Sequence, residues 1–345
     1  MKLADGRVEQ YFGSNAPFWK DVYGQAGVFS GTMRRRHAIA LSWIERLNLE
    51  PGTRVLEVGC GAGLLSVALA QRGMSVHAID PVPAMVVEAR RSAEEAHVGQ
   101  AMSIRVGDAH RLHFADASFT VVAALGVLPW LRDPAQAIDE MARVLKPGGW
   151  LVLSADNRAR LPVLLDPVRN PALDGVKQTI KRWIVGPRAD AGPRPRADRR
   201  RDVDRMLYEA GLRKRAGATC GFGPLTLFWR RFLPERIEVR VERSLQALAD
   251  RGLPGFRSTG WHYLVSRKSC PELRPHREAQ RRLTLPDIHV RGMGLGKGCH
   301  LTLRATVVRG RVPGVDAPEH RACVSVLVER ADHLRNGVPA RVARW

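Results

Sequence analysis

The sequence predicts an α/β fold: a doubly wound, mostly parallel sheet with helices on both faces. Three observations predict it. Strand-like and helix-like segments alternate from residue 54 to residue 155, and alternation at this interval needs parallel strands joined by crossover helices. The first strand-like run feeds a glycine turn, VLEVGCGAGL at 55–64. Carboxylates close successive strands at Glu57, Asp80 and Asp108, where such sheets bind ligands.

The elements follow in order. Residues 33–48 read as a helix, because Ile39, Ala40, Trp43, Ile44 and Leu47 share one face. Pro51-Gly52 breaks it. RVLEV (54–58) is a buried strand, and LLSVALAQR (64–72) a helix closed by Gly73. SVHAI (75–79) is a strand; AMVVEARRSAEEA (84–96) is a helix with Pro83 suited to its first turn. MSIRV (102–106) and FTVVAAL (119–125) are strands. Asp133-Pro134 caps and starts a helix whose inner face carries Ile138, Met141 and Leu145. Lys146-Pro-Gly-Gly149 ends that helix before the fifth strand, WLVLSA (150–155).

Beyond residue 156 the pattern changes. LPVLLDP (161–167) is apolar, VKQTIKRWIVG (176–186) is amphipathic and cationic, and PRADAGPRPRADRRR (187–201) is rich in Pro and Arg. The fold signal resumes with a helix at 202–212, a strand at 215–223, a helix at 237–252 and a strand at 260–268. Two late strands separated by a helix and short loops predict an antiparallel pair at the sheet edge. From 269 to 345 the order fades, with strand-like runs only at 299–312 and 322–330. The expected organisation is therefore a helical N-terminal cap over 1–50 and a main domain over 51–268 with a helical lid insertion at about 157–201. A basic, poorly ordered extension over 269–345 follows.

Bulk composition narrows the functional classes. The apolar runs, such as FTVVAALGVLPWL (119–131), are interrupted or too short to span a bilayer, and MKLADGRVEQ is no secretory signal. A cytoplasmic protein is expected. The five cysteines lack zinc spacing, so reduced thiols and no metal are expected. The formal charge of +21 is uneven. Residues 1–150 carry 16 Lys and Arg against 15 acids; residues 151–345 carry 39 against 19. Such a field favours polyanions or an anionic membrane surface, and GC-rich coding explains the same arginine excess without a partner.

The glycine loop carries the chemistry. A dinucleotide fingerprint needs GxGxxG, but residue 64 is leucine and the spacing here is Gly59-x-Gly61-x-Gly63. Glu57 would repel a pyrophosphate. It suits a ligand with an ammonium and a sulfonium, and S-adenosylmethionine (SAM) is such a ligand. Asp80 stands where a ribose diol could donate to it, Asp108-Ala109 where an adenine amine could, and Met85 could pack on the ring.

With these residues in place, VLEVGCGAGLLS, HAIDPVPAMVVEAR, VGDAHRLHF and ARVLKPGGWLVLS resemble the class I SAM-dependent methyltransferases, small-molecule (type 11/25-like) branch, over about residues 10–268. The resemblance implies a Rossmann-like seven-stranded sheet with one antiparallel strand near the edge. It implies a SAM site formed by Glu57, Gly59, Cys60, Gly61, Gly63, Asp80, Pro81, Met85, Asp108, Ala109 and Leu125. It also implies methyl transfer to a small acceptor, O- or C-directed and hydrophobic or aromatic, with an RNA- or protein-directed enzyme or a non-catalytic SAM binder as alternatives.

A histidine common in relatives before the Asp-Pro is Trp130 here, so no catalytic base is assigned, and the tetrad of base N-methylating enzymes is absent. Nucleic acid is accordingly the weaker partner. Acceptor contacts are expected from Tyr11, Tyr23, Trp130, Asn157 and Arg158, the last two in the Asp156-Asn157-Arg158 run near the expected acceptor pocket, and one of Tyr11, Tyr23 or Arg35 is expected at the methionine carboxylate or the acceptor. His110, His113 and His262 are expected to be structural.

Overall fold

Continuous apolar runs set the centre of the molecule. A computed structural model describes residues 6–170, 173, 195–228 and 230–270, and the strands at 288–289, 302–308 and 323–327. Three helices come first: α1 (Gly6–Ser14), α2 (Ala16–Asp21) and α3 (Val28–Glu45). The alternating section follows as β1 (Arg54–Val58), α4 (Leu64–Ala70), β2 (Ser75–Asp80), α5 (Pro83–Glu95), β3 (Met102–Val106), β4 (Phe119–Ala124), α6 (Pro134–Val144) and β5 (Leu145–Asp156). Then come α7 (Leu161–Leu165), α8 (Arg200–Glu209), β6 (Leu212–Cys220), a small hairpin of β7 (Thr226–Leu227) and β8 (Arg230–Arg231), α9 (Glu235–Asp250) and β9 (His262–Ser269).

Seven strands form one sheet in the order β3-β2-β1-β4-β5-β9-β6. β9 runs antiparallel between β5 and β6, and the other pairs are parallel. The chain winds from β1 outward to β3, then returns to the other side of β1 as β4. The strand order thus reverses between β1 and β4, and the crevice beyond their carboxyl ends is the expected ligand site.

Side chains alternate across this sheet, so neighbours in sequence feed different cores. Leu56, Val122, Leu151 and Leu153 join Phe119, Ile138, Met141 and Tyr263 on one face. Val55, Val121, Ala123 and Val152 join Ala40, Ile44, Leu65 and Leu69 on the other. Asp133 caps α6, accepting from the Gln136 amide at 3.0 Å.

Several boundaries differ from the sequence reading. The first long helix begins at Val28 rather than residue 33, because Val28, Ser30 and Thr32 are buried and extend its packed face. Residues 146–149 are not a turn outside the sheet but a bulge within β5. The register jumps there from Phe119↔Leu145 to Val121↔Trp150. The fold closes so tightly at this point that a Cβ on Gly149 would lie 2.9 Å from the carbonyl oxygens of both Lys146 and Thr120.

Of the segment at 157–201, the helix expected at 176–186 lies outside the described residues. A second unit, Arg274–Trp345, contains β10 (Ile288–His289), β11 (Thr302–Val308) and β12 (Cys323–Leu327), paired as an antiparallel sheet. Among the described residues no helix is long and apolar enough to cross a membrane.

Candidate active site

A cavity of about 600 Å³ runs along the carboxyl edge of the sheet, within the roughly 300–1,000 Å³ typical of small-molecule sites. Its floor is a series of strand ends: Glu57 from β1, Asp80 from β2, Asp108 after β3, Leu125 and Gly126 after β4, Asp156 from β5 and His262 from β9. Tyr11, Phe12, Phe18, Trp19 and Tyr23 from the N-terminal segment line it too, with Met33, Arg36 and His37 from α3. These aromatics touch one another: Phe12 meets Trp130 edge-on at 5.0 Å, and Phe29 packs against Phe18, Trp19 and Trp261.

The two halves of the cavity differ in charge. At the β1–β2 end stand two buried carboxylates. Burial pushes the Glu57 carboxyl up to about 8, against hydrogen bonds from the Ser66 hydroxyl and amide, while nearby Asp80 raises it further and Arg36 pulls it down. Burial also raises Asp80 to about 6, although the amides of Val82 and Gly61 each donate to it at 2.9 Å. A cation placed beside these carboxyls would favour their charged form. Asp108 is different. Burial opposes its charge, but the His110 amide at 3.0 Å and ring at 2.8 Å outweigh that and hold its carboxyl below the usual range.

Arg36 supplies the opposite charge. It is 9% exposed, lines the cavity beside Gly126, and its Nε has no partner among the described residues. Arg35, the arginine favoured by the sequence, pairs instead with Asp250 on the outside. The reason is helix phase: Met33, Arg36, Ala40 and Ile44 form the buried stripe of α3, at spacings of three and four that exclude residue 35.

At the β5–β9 end, Asp156 and His262 face each other in register. Nδ1 of His262 lies 3.0 Å from Asp156 Oδ1, with its N–H off the line of a straight hydrogen bond. The Trp261 indole donates to Asp156 Oδ2 at 3.2 Å, and Arg160 stands 3.6 Å from the same oxygen. Burial opposes the Asp156 charge, but His262, Trp261 and Arg160 outweigh it and hold the carboxyl low.

Glu57, Gly59, Cys60, Gly61, Asp80, Pro81, Met85, Asp108, Ala109 and Leu125 all line the cavity, as do Tyr11, Tyr23 and Trp130. Gly63 does not. It caps α4 at φ +81°, and a Cβ there would lie 3.0 Å from that of Ala89, so it serves the turn and the α4–α5 approach. Asn157 and Arg158 also stand outside the lining. The Asn157 amide donates to the carbonyls of Ser258 and Gly260 at 2.8 and 2.9 Å and accepts from Ala159, so it ties β5 to the turn before β9. Arg158 is exposed. His110 is buried behind Asp108. Sequence reasoning missed Arg36, took His262 for packing, and singled out the Asp156-Asn157-Arg158 run, of which only Asp156 lines the cavity.

Residues 56–153 match the methyltransferase domain family. A ubiquinone biosynthesis O-methyltransferase of Xylella fastidiosa (strain M23) is 34% identical over 154 residues, which is 45% of this chain and 61% of that protein. The chain thus spans less than two thirds of this relative's length. One from Hydrogenovibrio crunogenus is 26% identical over 250 residues, 72% of this chain and 96% of that protein. Among solved structures, magnesium protoporphyrin IX methyltransferase from Synechocystis PCC 6803 with bound SAH superposes with a TM-score of 0.51 at 19% identity, covering 76% of this chain and 98% of that one, a likeness of fold. The matched methyltransferase domain over residues 56–153, set in a seven-stranded sheet with a single antiparallel strand, makes this chain similar to SAM-dependent methyltransferases in that domain and in fold.

Proposed function

We propose that the protein transfers the methyl group of SAM to a hydroxyl of a small, hydrophobic or aromatic acceptor. The observation that carries the donor half is one cavity holding two carboxylates that burial makes hard to ionise, beside an incompletely paired buried guanidinium. The donor's chemistry fits these groups. Arg36 is suited to its α-carboxylate, Glu57 to its ammonium, Asp80 to its ribose diol and Asp108 to its adenine amine. Met85, 2% exposed, offers an apolar surface for the base. The Cβ position of Gly61 is open, with no heavy atom within 4 Å, so the loop backbone leaves room for a ligand.

When bound, SAM supplies an electrophilic methyl on a sulfonium, and the protein's main task is to align the acceptor with it. Phe18, Phe29, Trp130 and Trp261 line the same cavity and offer the acceptor aromatic surroundings. The O-methyltransferase relatives support a hydroxyl acceptor.

Calorimetric titration with SAM tests the donor half; NAD is the control and should not bind. Incubation with SAM labelled in its methyl group, against fractionated cell extract, tests the acceptor half. Label is expected in small apolar molecules. Label confined to RNA or protein would reject the small-molecule assignment.

A further inference from the structure

The acceptor end of the cavity holds a pairing that alignment alone does not explain. His262 is 4% exposed and lines the cavity. Its Nδ1 faces Asp156 at 3.0 Å, and its Nε2 is buried without a partner among the described residues. A native structure rarely leaves a buried ring nitrogen unpaired without a catalytic or solvent-mediated reason. Asp156 is fixed from behind by the Trp261 indole and by Arg160. The pair thus has three of the parts of a base assembly: a ring with a free nitrogen, an anion beside its other nitrogen, and groups that hold the anion.

We infer that His262 is the catalytic base that takes the acceptor's hydroxyl proton, with Asp156 as its positioning residue. The inference rests on the methyl-transfer reading above. The Nε2 lone pair accepts the hydroxyl proton, directly or through one water. The acceptor oxygen's electron pair becomes the new C–O bond, while the S–CH₃ bond breaks and leaves its pair on sulfur. Asp156 stabilises the imidazolium, which then returns its proton to solvent. The loose Nδ1 geometry is no obstacle, since catalytic hydrogen bonds often align only when substrate binds.

Other histidines fit less well. His37 lines the cavity and also has a buried Nε2 without a partner among the described residues, but its ring neighbours are the Leu64 backbone, Arg36 and Arg72, with no carboxylate among the described residues to stabilise an imidazolium. His110 uses its ring on Asp108 and on the Asp133 amide. The charged groups facing His262 are Asp156 on β5, Arg160 after it and Arg36 on α3. Burial lowers the ring's pKa, the nearby Asp156 carboxylate opposes this, and the two arginines add to the lowering. The neutral, proton-accepting ring is therefore present at neutral pH.

Three measurements test this. NMR of isotope-labelled histidine in the unliganded protein at neutral pH is expected to show His262 neutral with its proton on Nδ1, and Asp156→Asn is expected to disturb that tautomer. A proton resident on Nε2 would overturn the inference with no turnover needed. Methyl transfer is then assayed against a panel of simple phenols and catechols. His262→Gln, which keeps a polar amide near Nε2 but cannot take up a proton, is expected to lower kcat by about 10²- to 10⁴-fold. Its activity should recover only at alkaline pH, where the acceptor ionises unaided. SAM affinity, read by calorimetry, should stay within about threefold. Full activity in His262→Gln would make the residue structural and end the proposal. Wild-type protein that binds SAM yet methylates no hydroxyl also ends it. Failure of wild-type protein to bind SAM would instead reject the donor reading.

Discussion

At the scale of single residues, the cavity's behaviour turns on Glu57 and Arg36. The folded state raises Glu57 to about 8 from 4.5 and Asp80 to about 6 from 3.8, mainly by burial. The sign follows from linkage: the folded protein holds these protons more tightly than the unfolded chain. Their stabilising contribution is complete below the unfolded values and is lost as pH rises through about 6 for Asp80 and about 8 for Glu57. Ligand-free protein is therefore expected to lose thermal stability across that window. A cationic ligand reverses the effect by pairing with the ionised carboxylate, so the melting-temperature gain from SAM should grow from pH 6 to pH 8. Glu57→Gln should flatten that growth, which differential scanning fluorimetry at both pH values would show.

Arg36→Met should weaken SAM binding about 10- to 100-fold, as expected for loss of a charged hydrogen bond of roughly 1.5–3 kcal/mol. Arg35→Met should leave affinity nearly unchanged, because its partner is the half-exposed Asp250. Equal losses in the two variants, measured by calorimetry, would contradict the assignment of Arg36.

At the scale of elements, what the sequence revealed depended on distance along the chain. Glu57, Asp80 and Asp108 were readable as cavity residues because each stands at or just past the end of its own strand, a local pattern. Arg36 was missed by one position, because Arg34-Arg35-Arg36 is a uniform triplet and only the packed face of α3 separates its members. The pairing of Asp156 with His262 was beyond reach, although Asp156 itself stood in the run singled out after the fifth strand. The two meet through the register of β5 and β9, 106 residues apart, and no local spacing encodes that pairing. Asn157 misled for the opposite reason: its sequence position beside the strand end was right, but its amide is spent on the 258–260 turn.

The bulge at 146–149 was also misread, since Lys-Pro-Gly-Gly resembles a plain turn until its pairing with β4 is seen. Gly149→Ala places a Cβ against two backbone carbonyls that cannot move aside. It should cost about 1–3 kcal/mol, read as a shift in the urea midpoint.

At the scale of the whole molecule, every residue named for the cavity lies within the unit Met1–Leu273. A chain ending at residue 273 should therefore bind SAM as tightly as the full chain; a clear loss would give the basic C-terminal segment a part in the site. The opposite end should matter. Ala16 packs with Val82 and Met85, joined by Phe12 and Trp19, and Lys20 reaches Glu95 at 2.8 Å. Removing residues 1–25 takes away the aromatic side chains that close the cavity over β2 and α5. SAM affinity should drop by at least about tenfold, since those aromatics bury most of one wall.

The position of β9 has a consequence for synthesis. This strand is the last to leave the ribosome among the seven, yet it lies between β5 and β6 and provides the only neighbour β6 has among the described residues. Until residue 269 emerges, β6 waits unpaired and the open backbone edge of β5 stays bare. The carboxylate-bearing end of the cavity at β1 and β2 can thus be complete while translation continues, whereas the end where Asp156 meets His262 is finished only once the final strand has slotted home.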